Sequence, residues 1–224
     1  MWRQLFLSCL WLALVSYSVI SSTSFAGTFQ SDLDLIIRLS TGQWTDINPI
    51  VIAIFFIMGI FPVIYSAFIL FDAEGQKISP YPFAIAAFGL GAFALLPYLA
   101  WRKSNTPWQG NKNGILNILD SPLSAIIASI TLVAFLIWGT TQGNWSDFVT
   151  QWQTTQFVHV MSLDFFVSSC LFPTILGDDM QRRGVESGLL KSVAFIPLFG
   201  ALLYWCLRPQ LPQTVNSQQL TVNS

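Results

Sequence analysis

Five long apolar runs, residues 50–71, 82–101, 123–139, 157–177 and 189–207, take up most of this chain, and almost every charge lies between them. Each is about 17 to 22 residues long. A helix of that length rises about 30 Å at about 1.5 Å per residue, which matches the hydrocarbon core of a bilayer. Five such runs in 224 residues leave no room for a separate soluble domain. The expected fold is therefore all-α: a polytopic transmembrane helical bundle of five spans plus an N-terminal apolar helix or signal peptide.

Composition agrees. Charged residues make up 9% of the chain and hydrophobic residues 53%, whereas soluble domains carry about 25% charge. The first partner is the lipid bilayer. Nucleic acid is excluded, since a net charge of −1 without a basic stripe cannot neutralise phosphates. Cys9, Cys170 and Cys206 sit singly in apolar runs, without metal or redox spacing, and read as small packing residues.

Residues 1–26 allow two readings. Arg3 followed by an apolar stretch over 5–20, with Ser24-Phe25-Ala26 before Gly27, resembles a signal peptide and its cleavage site; a retained first helix is the alternative. Lys and Arg accumulate on the cytoplasmic side. With the first stretch counted as a helix and the loops taken alternately, one side holds Arg38, Arg102, Lys103, Lys112, Arg182, Arg183 and Lys191, and the other Arg3, Lys77 and Arg208. This bias favours a retained helix and six spans, with residues 27–47 cytoplasmic and the C-terminus on the opposite side.

The chain divides into that N-terminal segment, an amphipathic loop over 27–47, a membrane domain over 48–207 and a tail over 208–224, which is polar, aperiodic and expected to be disordered. Asn48-Pro49, Ser79-Pro80 and Ser121-Pro122 mark helix starts. Pro62, Pro97, Pro173 and Pro197 fall within spans, where neighbouring helices must re-satisfy the freed carbonyls. Trp44, Tyr81, Tyr98, Trp101, Trp138, Tyr204 and Trp205 fit an interfacial aromatic belt. Ala84, Ala87 and Gly91, with Ser124–Ala128 and Ala125–Ser129, give small-residue faces suited to close helix packing. In the loop over 140–156, Trp145, Phe148, Val149 and Trp152 share one face of a short amphipathic helix near 145–156. That helix suits a membrane surface or, as an aromatic anchor, a protein partner.

Two ionisable residues lie inside one run, His159 and Asp164, and such residues mark a functional site or a specific partner. They are five residues apart, roughly 140° around a helix, and do not face each other. Asp164 reads as a buried acid bonded to a hydroxyl or a proline-freed carbonyl, as a proton or cation site of a transporter, or as a subunit contact. His159 reads as an interfacial histidine bonded to backbone, with axial ligation of haem or chlorophyll as the sharper alternative; one histidine cannot supply both ligands of a bis-histidine haem. Asp178, Asp179, Arg182 and Arg183 form two acid-before-base pairs at i, i+4 and read as a charged helix end at the cytoplasmic surface, closed by Gly184 in a left-handed cap, with a docking patch as the second reading. None of the hydrolase, zinc-protease, phosphate-loop or dinucleotide patterns occurs, so no cofactor and no catalytic residue is indicated.

Three stretches, 95–102 (LLPYLAWR), 152–165 (WQTTQFVHVMSLDF) and 176–184 (LGDDMQRRG), resemble an uncharacterised family of multi-pass membrane proteins of cyanobacteria and chloroplasts. The resemblance covers roughly 48–207 and brings no activity with it. It implies a photosynthetic membrane, thylakoid or plasma, and a supporting role near a larger membrane protein complex. The expected function is thus that of an integral membrane accessory or assembly protein without catalytic activity; the alternative is a small ion- or proton-coupled transporter using Asp164.

Overall fold

The computed structural model describes residues 2–25, 29–73, 75–104, 108 and 112–212. The described residues form helices and no strands. Four helices are long and apolar enough to cross a membrane. These are α1 (Trp2–Ser21), α3 (Pro49–Ile69, continued to Asp72 by a 3-10 turn), α7 (Pro122–Gln142) and the broken helix α9–α10 (Gln156–Cys170 and Pro173–Arg182). Shorter elements complete the chain: α2 (Phe29–Thr41), α4 (Tyr81–Leu90), α5 (Ala92–Trp101), α6 (Gly114–Leu119), α8 (Trp145–Thr154), α11 (Gly188–Val193) and α12 (Phe199–Leu207).

Two of the three expected helix starts are capped as expected; Ser79 is not a cap, because α4 begins one residue later, after Pro80, with no side-chain cap bond. The Asn48 side chain accepts from the Ile50 N–H at 3.0 Å, ahead of a proline whose missing N–H costs nothing in the first turn. Its amide nitrogen also donates to the Asn144 carbonyl and to Asp147 Oδ2, both at 2.7 Å, which ties the start of α3 to the start of α8. Ser121 caps α7 through the Leu123 N–H at 3.2 Å. Gly184, at φ +65°, closes α10.

The runs over 82–101 and 189–207 are not single spans, which corrects the expectation of five. In the first, Gly91 adopts φ +49°, a backbone that glycine reaches without strain, and the chain doubles back. Phe83 and Tyr98 have ring centroids 5.6 Å apart, whereas fifteen residues of straight helix would separate them by about 22 Å. The Gln76 side chain donates to the Lys103 carbonyl at 2.7 Å and accepts from its N–H at 2.9 Å. Thus α4 and α5 form a hairpin with both open ends at one end of the bundle. In the second run α11 and α12 fold back through residues 194–198, where Leu198 has φ +67°. Gly200 lies so close to this turn that a Cβ there would sit 2.6 Å from the Ala194 carbonyl oxygen.

Both hairpins open at the end where α3 and α10 finish. Arg3, Lys77, Arg102, Lys103, Lys112, Arg182, Arg183, Lys191 and Arg208 gather there. Of the ten Lys and Arg in the chain, only Arg38 lies at the other end, close to Trp44 and Trp138. The alternate-loop count of seven against three assumed that 82–101 and 189–207 cross, and it fails for that reason.

Broken helices leave carbonyls unpaired, and neighbours take them up. Pro173 lacks the N–H that would bond the Ser169 carbonyl; the Leu198 N–H donates there instead, at 3.2 Å. Tyr65 donates to the adjacent Ser168 carbonyl at 2.6 Å. Pro97 similarly leaves the Phe93 carbonyl without its helical partner. Helix α1 packs along α5 with Leu7 and Leu14 buried. On the other flank of α3, α7 approaches so closely at Gly139 that a Cβ there would lie 2.4 Å from that of Ala53. Ala84, Ala87, Ala125 and Ala128 are buried as the small-residue faces require.

Other expectations need correction. The presumed loop over 27–47 contains helix α2, with Leu39 fully buried. Tyr98, Tyr204 and Trp205 do not form a belt; they are buried, because each polar atom finds a partner inside. Of the tail, residues 209–212 are ordered against the bundle, the Leu211 N–H donating to Asp120 Oδ2 at 2.9 Å; residues 213–224 lie outside the described residues, as do Ala26 and Gly27 of the expected cleavage site.

Candidate functional site

Asp164 lies in α9 against the tip of the α4–α5 hairpin. Its Oδ1 accepts from the Ala92 N–H at 2.6 Å and faces the Ser168 hydroxyl at 3.5 Å. The carboxylate therefore caps the first turn of α5, where free N–H groups and the positive end of the helix dipole favour an anion. Gly91 makes this approach possible. A Cβ at 91 would lie 1.9 Å from Asp164 Oδ2, so the missing side chain leaves the space that the carboxylate fills. Beside it a cavity of about 480 Å³ runs between α3, α9 and the hairpin tip. Its walls are apolar apart from Asp164 and the backbone of the tip: Phe55, Phe56, Met58, Phe93, Phe157 and Met161 among others.

His159, one helical turn and a half away, belongs to a different environment. Nδ1 lies 2.8 Å from the Trp152 carbonyl and Nε2 lies 2.7 Å from the Tyr17 hydroxyl. A carbonyl only accepts, so Nδ1 carries a proton, and Nε2 of a neutral ring accepts from Tyr17. The ring packs on Trp152 at 4.4 Å and on Tyr17 at 5.7 Å. Both nitrogens are engaged within the protein, as in the backbone-bonded reading, and neither is left for a metal.

Asp178, Asp179, Arg182 and Arg183 are brought together, but not as a solvated helix end. They lie in a network with Asp72, Arg102, Lys112, Asp120 and Arg208, and Asp179, Arg182 and Arg183 have side chains no more than 1% exposed. Only one expected pair forms: Arg183 Nε donates to Asp179 Oδ2 at 2.9 Å. Asp178 turns instead to Arg102 at 2.5 Å and accepts from Ser104, while Arg182 donates to Asp72 at 2.7 Å and lies 3.6 Å from Asp179. Asp72 also accepts from Arg102 Nε and, at 3.3 Å, from Tyr98. Asp179 accepts further from Tyr204 at 3.0 Å and Arg208 at 3.2 Å. Asp120 pairs with Lys112 at 2.6 Å and Arg183 at 2.7 Å.

The arrangement has a structural logic. Arg102 ends the first hairpin and Arg208 the second, and each is held by a carboxylate at the end of α3 or on α10. Arg208 also donates to the Ala67 carbonyl at 2.8 Å and lies 4.5 Å over the Phe68 ring. Burial works against the charge on Arg102, but its bonds with Asp72 and Asp178 outweigh that and raise the guanidinium above its ordinary value. Charges so enclosed persist only when paired. Sequence reasoning missed Asp72, Arg102, Asp120 and Arg208, because each is a single charge whose partners lie far along the chain.

At the opposite end α8 forms as expected, but its face is shared. Phe148 and Trp152 pack on a core of Leu39, Val51, Ile52, Val158 and Met161, while Trp145 stays 54% exposed. Among the described residues no three His, Cys, Asp or Glu side chains converge as metal ligands. The chain matches no family model, and no curated protein or solved structure is significantly similar to it.

Proposed function

We propose that this chain is an integral membrane accessory or assembly protein without catalytic activity. Four helices cross the bilayer, and two hairpins dip into it from one face without crossing. The observation that carries the reading is how the charged groups are used. Asp72, Asp120, Asp178 and Asp179 are bonded to Arg102, Lys112, Arg182, Arg183 and Arg208 in holding the hairpins, and His159 is bonded on both nitrogens. What the protein turns outward is an apolar girdle and the aromatic end of α8, surfaces suited to lipid and to neighbouring membrane proteins.

The basic end faces the cytoplasm or stroma, in keeping with the accumulation of Lys and Arg on that side. Helix α1 is retained in the mature protein, since it covers α5 and supplies Tyr17 to His159 and Trp11 to Phe93. The likeness at residues 95–102, 152–165 and 176–184 supports a photosynthetic membrane as its place.

Comigration with a larger complex on native gels, and loss of that complex in a deletion strain, is the expected result. Recovery only as a free monomer with normal complex levels in the deletion strain would overturn the reading. An intact mass lacking residues 1–26 would overturn retention of α1. The second reading, proton- or cation-coupled transport at Asp164, is favoured by the half-depth hairpin tip, a device of transporters. It predicts flux in reconstituted vesicles that Asp164→Asn abolishes.

A further inference from the structure

We propose that the cavity beside Asp164 is a binding site for a lipid-soluble phenol, a single hydroxyl donor on an apolar body. This goes beyond the accessory role and does not depend on it.

Three observations carry the inference. The cavity, at about 480 Å³, falls in the range of small-molecule sites, which are mostly apolar with a few placed polar groups. Phenylalanines line it, among them Phe56, Phe93 and Phe157, and aromatic walls favour offset or edge-on contact with a ligand ring. Finally, Asp164 lines the cavity, is only 6% exposed, and commits only one of its oxygens: Oδ1 caps Ala92 and faces Ser168, while Oδ2 has no hydrogen-bond partner among the described residues. An acceptor left unmet and open to an apolar cavity costs free energy that a donor from a ligand would recover.

The number of acceptors decides the class. An ammonium brings three donors, but the only side-chain oxygen these walls leave free among the described residues is Asp164 Oδ2, and N–H groups turned toward the surrounding phenylalanines would be unmet at a cost. A hydroxyl brings one donor and leaves none unmet. Phe88 and Leu90 at the rim are exposed, on a surface that lipid would cover, so the ligand enters sideways from the bilayer.

The test uses the full chain in detergent, with native mass spectrometry counting bound 4-dodecylphenol, its methyl ether 4-dodecylanisole, and dodecylammonium. The phenol is expected to bind one per chain, about tenfold more tightly than the ether, as loss of one charge-assisted hydrogen bond implies. Asp164→Asn can keep the cap on Ala92 while turning an NH₂ toward the cavity, so the phenol's advantage over the ether should shrink to within about twofold. Gly59 lines the cavity, and a Cβ there meets nothing within 4 Å; Gly59→Leu should therefore remove phenol binding while leaving the unfolding temperature unchanged or raised. Equal binding of phenol and ether by the unaltered protein, preference for dodecylammonium, undiminished binding by Gly59→Leu, or no binding of any of the three would each overturn the proposal.

Discussion

The indole nitrogen of Trp11 donates to the Phe93 carbonyl at 2.9 Å, the acceptor that Pro97 deprives of its helical partner. One proline in the short helix α5 thus makes α1 a necessary neighbour. Trp11→Phe should destabilise the protein by about 1–3 kcal/mol, the range for leaving a buried acceptor unmet. In a Pro97→Ala background, where residue 97 regains an N–H, the same substitution should cost much less. A double-mutant cycle of thermal unfolding in detergent measures the difference; equal costs in both backgrounds would argue against the coupling.

Gly91→Ala places a methyl group 1.9 Å from Asp164 Oδ2 on a backbone at φ +49°. Clash and backbone strain together should cost about 3 kcal/mol or more, read as a fall in Tm. Removing the carboxylate relieves the clash but not the strain, so Gly91→Ala with Asp164→Ala should lose less than the sum of the two single variants.

Asp179 holds Tyr204, Arg183 and Arg208 at 3.2 Å or less. Asp179→Asn leaves buried guanidinium groups uncompensated, at about 3–5 kcal/mol. Asp178→Asn should cost clearly less, since Asp178 is the more exposed acid, at 13%, and Arg102 keeps Asp72. Comparable losses from the two would mean that burial does not rank these pairs.

The hairpin makes a topological prediction as well. With the three native cysteines replaced, Lys77→Cys and Lys103→Cys should react with a membrane-impermeant thiol reagent from the same side of sealed vesicles, and Ser146→Cys from the other. Labelling of positions 77 and 103 from opposite sides would show that residues 82–101 cross.

Much of the helical content could be read from residues. Asn48-Pro49 and Ser121-Pro122 begin α3 and α7 because a short polar side chain and a proline both suit the first turn. Likewise the apolar face of Trp145, Phe148, Val149 and Trp152 lies on one helix, α8. What escaped was the difference between a helix that crosses and a hairpin that returns. Both are runs of about twenty apolar residues, and hydropathy does not register direction. Gly89 and Gly91 at the middle of 82–101 were a usable signal, and so was charge. Six alternating spans divide the Lys and Arg residues seven to three, whereas hairpins at 82–101 and 189–207 gather nine at one end, the stronger bias.

The candidate site was legible only in part. Asp164 and His159 stand out as ionisable residues inside an apolar run, but the partners of Asp164, Gly91 and Ala92, are some seventy residues earlier. The Asp178–Arg183 segment invited local pairing, because i, i+4 spacing is visible in a sequence. The pairs that form reach back to Asp72, Arg102 and Asp120, and no periodicity encodes them.

Arg208 follows Asp179 by 29 residues. A ribosome making this polypeptide from its N-terminus therefore delivers the aspartate well before the arginine and tyrosine that complete its bonding. Until residues 198–208 emerge, the Ser169 carbonyl lacks the Leu198 N–H, and Asp179 lacks Tyr204 and Arg208. Truncation just short of Arg208 would therefore leave Tyr204 on Asp179 but remove the guanidinium that ties Asp179 to the Ala67 carbonyl, a latch only half closed.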